Sequence, residues 1–231
     1  MTRESELAPG WHTALLVTLI VLVAVVGTVL RMHGAGGVAA PVALTTGAKI
    51  AGVYGPMLFV QVAMVVYVSR VGRPRSALGA LLGRRWDTPR RALGDIALGL
   101  AGWVLLLASE AAWARVAGVR GGGAVVTMLP HTTLERLAWV VLASAVGVSE
   151  EVVYRGYLQQ QLGAFARRPA VGVVGQAVLF GLAHAEQGAA TMGRFAGYGL
   201  AFGLLARWRR SLVPGIVGHA WTDIVSGLVR R

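Results

Sequence analysis

Seven apolar runs divide the chain, near Trp11 to Leu30, Ile50 to Ser69, Ile96 to Ala114, Leu137 to Leu158, Val171 to His184, Phe195 to Leu205 and Leu212 to Leu228. The charged residues gather in short clusters between them. An α-helix rises about 1.5 Å per residue, so about 20 apolar residues cross the hydrocarbon layer of a bilayer. The first four runs meet that requirement. The last three are short or interrupted by Gly, His and Asp, which is tolerable only where neighbouring helices cover the polar groups. The pattern predicts an all-α fold, a polytopic integral membrane helical bundle of about seven transmembrane helices, with the last three in its interior. The first run is longer than a secretory signal's apolar stretch and reads as a retained helix. Val38-Ala39-Ala40 supplies the alternative, a cleavage site after a signal peptide.

Basic residues fix the expected orientation. With the N-terminus on the cytoplasmic side, the inner segments carry 13 arginines and the outer set 8 basic residues, an excess that favours N-terminus in and C-terminus out. The loop from Arg70 to Arg91 holds Leu78, Leu81, Leu82 and Trp86 at helical spacing among its arginines, the pattern of an elbow lying in the membrane interface. Gly121 to Gly123 mark an outer loop.

Composition narrows the partners. The net charge of +12 is almost entirely arginine, since Lys49 is the sole lysine. These arginines flank apolar runs, where anionic lipid headgroups lie, and no nucleic-acid-binding motif accompanies them. Membrane lipid is the expected partner, nucleic acid is not, and a multi-pass location in the cell membrane follows. With no cysteine, disulfides and thiolate metal sites are excluded.

Candidate chemistry lies in the last hundred residues, in three patterns that put ionisable groups where hydrocarbon is expected. The first is Ser149-Glu150-Glu151-Val152-Val153-Tyr154-Arg155-Gly156. An acid in an apolar helix costs roughly 2 to 3 kcal/mol even on lenient insertion scales. Glu151 and Arg155, four apart, form a favourably ordered helical ion pair. Glu150 points about 100° away and has no local partner. A carboxylate withdrawn from water holds a proton more readily, which is what a general base needs, and Glu150 is the candidate base; a structural pair tying helices together is the other reading.

The second pattern, Phe180-Gly181-Leu182-Ala183-His184, ends an apolar run on a histidine. Glu150 lies 17 residues before Arg167 and His184 lies 17 after it, so a hairpin turning there puts both at one depth. The third, His219-Ala220-Trp221-Thr222-Asp223, places two polar groups on one helix face, able to stabilise an oxyanion, bind a metal or simply pair.

Together these motifs resemble those of the CPBP intramembrane proteases, the CAAX protease and bacteriocin-processing (Abi) family. Glu150-Glu151-x-x-x-Arg155-Gly156-x-Leu158 is similar to its first motif, Phe180-x-x-x-His184 to its second, and His219-x-x-x-Asp223, preceded by Ser211-Leu212-x-Pro214, to its third. The resemblance covers about Leu134 to Leu228. It implies an N-terminal part, residues 1–133, of transmembrane helices and basic elbow, and a catalytic core, residues 134–231. It also implies an endopeptidase cleaving a membrane-associated peptide or protein with a Glu-activated water. Glu150 would activate the water with help from His184, His219 and Asp223 would stabilise the oxyanion, and Glu151, Arg155 and Phe180 would support them. Many members carry Asn at the last position, whereas Asp223 donates only when protonated, so orienting a water or His219 is an equal alternative. No cofactor is required, although two carboxylates and two imidazoles could hold a divalent metal such as zinc. The arginine-rich, lysine-poor composition suggests a GC-rich bacterial genome, which favours bacteriocin-like peptides, signal remnants or membrane anchors as substrates. The competing classes are a non-enzymatic membrane immunity or scaffold protein and a small proton-relaying transporter.

Overall fold

The structure is a computed structural model that describes residues 6–34, 44–70, 77–84, 86–117 and 128–229. Val38-Ala39-Ala40, the Gly121 to Gly123 loop and seven of the basic residues counted for orientation lie outside these. The described residues form helices and no strand, apart from one isolated antiparallel bridge between Gly83 and Ser211. In chain order they are α1 Gly10–Gly34, α2 Thr46–Ser69, the single turn α3 Leu78–Leu81, α4 Pro89–Ala117, α5 Thr133–Ala166, α6 Pro169–Leu182, α7 Ala189–Arg209 and α8 Val213–Val229.

Each expected span coincides with a helix. Four of them, α1, α2, α4 and α5, are long and apolar enough to cross a membrane on their own. The seven-span expectation is therefore supported for four. With 14 and 17 residues, α6 and α8 reach only about 21 and 26 Å, short of the roughly 30 Å hydrocarbon layer. The interior expected of the last three helices is seen most clearly in α6, where seven of 14 residues are buried, against five of 17 in α8 and three of 21 in α7; α5 shares it through the wholly buried stretch from Glu151 to Leu158. Helices α6, α8 and α2 pack around α5, with α4 and α7 behind α8 and α6, and α1 against α6 and the turn that follows it.

Local chemistry sets the helix ends. At the start of α5, Thr132 Oγ1 accepts from Glu135 N–H while the Glu135 carboxylate accepts from His131 N–H, close to a capping box. The same carboxylate takes Lys49 Nζ at 3.0 Å, so the sole lysine is buried at the head of α2 rather than displayed in a loop. Arg167 and Arg210, both with left-handed backbone (φ 53° and 52°), end α5 and α7, and Pro169 opens α6, where its missing N–H has no helical partner to lose.

The arginine-rich turns gather at one end of the bundle. Along the antiparallel α6–α7 pair, Gly199 meets Ala177 and Gly203 meets Val173, which brings Arg209 to the side of Arg167. The elbow joins there: Arg84 N–H donates to Arg210 O and Leu212 N–H to Leu82 O, while Arg209 grips Asp95 through Nε at 3.1 Å. Gly83 sits at φ +73°, where a Cβ would lie 2.5 Å from Arg210 O; only glycine fits that approach. The elbow is thus a docked connector, with Leu81 buried in the core beside Val153 and Leu212. The N-terminal segment closes the same end, with Leu7 N–H donating to Gln161 Oε1 at 2.7 Å and Gln161 Nε2 returning a bond to Ala8 O.

Candidate active site

Glu151 to Leu158 form a π-helical segment inside α5, so the first motif leaves the regular α-helical ladder immediately after Glu150. Such segments in α-helices recur at functional sites because they redirect side chains within one turn. Every residue of this one is buried. It faces α8, which enters the bundle recessed. A Cβ on Gly156 would lie 3.1 Å from Leu212 Cδ1, so α8 starts level with Gly156. From Leu212 to His219 is about 10 Å of helical rise, and from Gly156 back to Glu151 about 8 Å. Sequence distance from the Arg207 to Arg210 turn makes His219 look too shallow to meet Glu150; the recess removes the discrepancy.

Four of the five candidate residues converge on the His219 ring. Nδ1 lies 3.1 Å from Glu151 Oε1. A carboxylate in its ionised form only accepts, and with such a partner Nδ1 is the donor. Nε2 faces Glu150 Oε2 at 3.5 Å and Asp223 Oδ2 at 3.7 Å, both beyond a direct hydrogen bond. Exposure divides the acids: the Glu151 side chain is 0% exposed, Glu150 16% and Asp223 33%. Glu150 and Asp223 are therefore the carboxylates a substrate or water can reach.

Behind this pair, Arg155 Nη1 lies 3.1 Å from Glu151 Oε1 and is fully buried. Its guanidinium rests 4.3 Å from the Phe180 ring centroid and 5.4 Å from that of Phe202, a cation–π enclosure. Phe202 also stacks on His219, with centroids 5.6 Å apart and planes 9° from parallel. The supporting role expected of Phe180 thus acquires a second aromatic partner from α7.

His184 stands one ring away from the others. Its Nδ1 donates to Phe180 O at 2.8 Å and its ring stacks on Phe195. Among the described residues it makes no hydrogen bond or ion pair to the carboxylates or to His219. The Phe180 ring lies between, 5.1 Å from His184 and 6.0 Å from His219. With Nδ1 protonated, Nε2 of neutral His184 is left as an acceptor.

Three contributors escaped the sequence reading. Phe195 and Phe202, seven apart on one face of α7, could have been found as an aromatic stripe with Tyr198. Gly215 left no such signal: a Cβ there would lie 2.7 Å from Glu151 Oε2. We expect Gly215→Ala to displace the Glu151 carboxylate and destabilise the protein by about 1 to 3 kcal/mol, as overpacking does, lowering activity as well; parallel melting and cleavage assays check this, and an unchanged melting temperature contradicts it.

The fit to a metal is poor. Tetrahedral zinc takes at least three protein donors at about 2.0 to 2.2 Å from one point, and among the described residues no three His, Asp or Glu side chains form such a group.

Membrane-length helices around a buried acid–histidine centre define the class, a helical membrane protein with a partly exposed cluster of carboxylates around one histidine between α5 and α8. Residues 132–225, which contain all seven candidate residues, match the family model described as Type II CAAX prenyl endopeptidase Rce1-like. That match agrees with the resemblance drawn from the three motifs and covers 94 of the 231 residues. No curated protein and no solved structure shows significant similarity to the chain.

Proposed function

We propose that the chain is an intramembrane endopeptidase that hydrolyses a peptide bond of a membrane-associated protein or peptide with a water activated by Glu150, without a metal. The observation that carries this is the convergence of Glu150, Glu151 and Asp223 on one imidazole inside an Rce1-like domain. In the first step Glu150 takes a proton from water as the water oxygen bonds to the scissile carbonyl carbon. When protonated, His219 donates from both nitrogens, Nδ1 to Glu151 and Nε2 to the oxyanion, a contribution of roughly 3 to 4 kcal/mol to the transition state. Collapse breaks the C–N bond, and the proton held by Glu150 passes to the leaving amine. Asp223 orients His219 or the water, and His184 Nε2 accepts from that water. Glu151 and Arg155 hold the ring in register. The arginine-rich end faces the cytoplasm of the cell membrane.

The test is cleavage of a library of membrane-anchored peptides, prenylated and unprenylated, by the purified chain in proteoliposomes. Cleavage that survives exhaustive chelation supports the reading, and the cleaved peptides identify the substrate class. Stoichiometric bound metal together with chelator-sensitive, zinc-restored cleavage overturns the metal-free mechanism. Absence of any cleavage favours the scaffold or immunity class.

A further inference from the structure

At the arginine-rich end, away from the acid–histidine centre, two adjoining grooves open between the elbow and the first turn of α4. One, of about 460 Å³, is lined by Arg84, Trp86, Asp87 and Arg91. The other, of about 450 Å³, is lined by Asp87, Arg90, Arg91 and Arg209 together with Thr88 and Gly94. Four guanidinium groups face one carboxylate in this lining. The pairing among them is uneven. Arg91 is held by Asp87 and Arg209 by Asp95, whereas Arg84 and Arg90 are exposed and have no acidic partner among the described residues. Trp86 donates its indole N–H to Asp95 Oδ2 at 3.2 Å and stays 47% exposed, so its ring is oriented rather than loose. These residues immediately precede the apolar stretch of α4, which begins with Pro89, and therefore sit at headgroup depth, where tryptophan rings partition.

From this arrangement we infer that the grooves are a binding site for the phosphate of an anionic glycerophospholipid, with Arg84 and Arg90 as its primary cations and the Trp86 ring against the glycerol region. Guanidinium presents a rigid fork that matches phosphate oxygens. The paired Arg91 and Arg209 keep further N–H donors for the same oxygens. Because Arg84 belongs to the elbow, Arg90 to α4 and Arg209 to α7, a lipid bound there joins three segments already tied by the Arg84–Arg210 backbone bond and the Arg209–Asp95 ion pair. The inference does not depend on the protease reading.

The experiment is native mass spectrometry of the full chain released from bilayers of phosphatidylcholine alone or mixed with phosphatidylglycerol, comparing wild type with Arg84→Gln/Arg90→Gln. Wild type is expected to retain one or two phosphatidylglycerol molecules selectively, and the double variant to bind about thirtyfold more weakly, since each arginine near an anionic surface contributes about a fivefold effect. Arg136→Gln, at the opposite end, should retain lipid like wild type. Melting in phosphatidylcholine alone shows whether the double variant is folded; should it not be, Arg84→Lys/Arg90→Lys, with charge kept and the fork removed, takes its place with a smaller loss expected. A millimolar inorganic phosphate arm separates the sources: retention unaffected by phosphate supports a lipid site, and displacement by phosphate overturns it in favour of a free-phosphate site. Equal retention of the two lipids, or unchanged retention by a folded double variant, also overturns the inference.

Discussion

Glu150→Gln is expected to lower turnover by about 10²- to 10⁴-fold, the usual contribution of a positioned general base, while the protein folds and melts as wild type does. The two expectations follow from the same geometry. Glu150 is a partly exposed acid, and it faces His219 Nε2 at 3.5 Å, too far for a hydrogen bond whose loss would unsettle the core. The ion pair to Arg155 belongs to Glu151. Glutamine keeps the shape and solvation of residue 150 and removes only its ability to take a proton. Single-turnover cleavage in proteoliposomes, with melting followed by tryptophan fluorescence, measures both quantities. A variant keeping more than about a tenth of wild-type activity would show that Glu150 is not the base.

Arg155→Ala should act in the opposite way, on the fold first. Removing one member of a buried pair leaves the other charge uncompensated, at a cost of about 3 to 5 kcal/mol. Here the stranded group is the Glu151 carboxylate, fully buried and left with His219 as its polar partner among the described residues, and a void opens between Phe180 and Phe202 where the guanidinium lay. For a chain of this length such a loss lowers the melting temperature by on the order of 10 °C, with reduced folded yield from membranes. Glu151→Gln/Arg155→Met, which neutralises both partners at similar volume, should recover most of that stability without recovering turnover. Equal stability of Arg155→Ala and wild type would mean that the pair contributes nothing to the fold.

The elbow was legible as a stretch of leucines among arginines, yet its role was not. Periodicity in Leu78, Leu81 and Leu82 says that one side of the segment is apolar. Whether that side meets lipid or protein depends on what lies opposite, and here it is Leu212 and the π-helical segment of α5. Nothing near Lys49 in sequence says that it is buried either, since the carboxylate that draws it inward, Glu135, is 86 residues away.

What the sequence determined by itself is local: where helices run, because apolar length and bilayer thickness set a common scale, and which neighbours share a helix face. The Glu151–Arg155 and His219–Asp223 pairs, each four residues apart, follow from helical geometry and hold at 3.1 and 3.7 Å. The motif set, likewise a property of short segments, sufficed for the resemblance with which the family model over residues 132–225 agrees. Tertiary structure alone decided which acid His219 would grip, that α8 enters level with Gly156, and that two phenylalanines of α7 enclose the arginine and the imidazole. Those outcomes depend on the relative depth and rotation of separate helices, set by side-chain packing across the bundle: a turn at Arg210, a backbone bridge at Gly83 and the missing Cβ of Gly215. No interval counted along one chain segment carries that information, since contacts between helices join residues whose separation in sequence is unrelated to their distance in space.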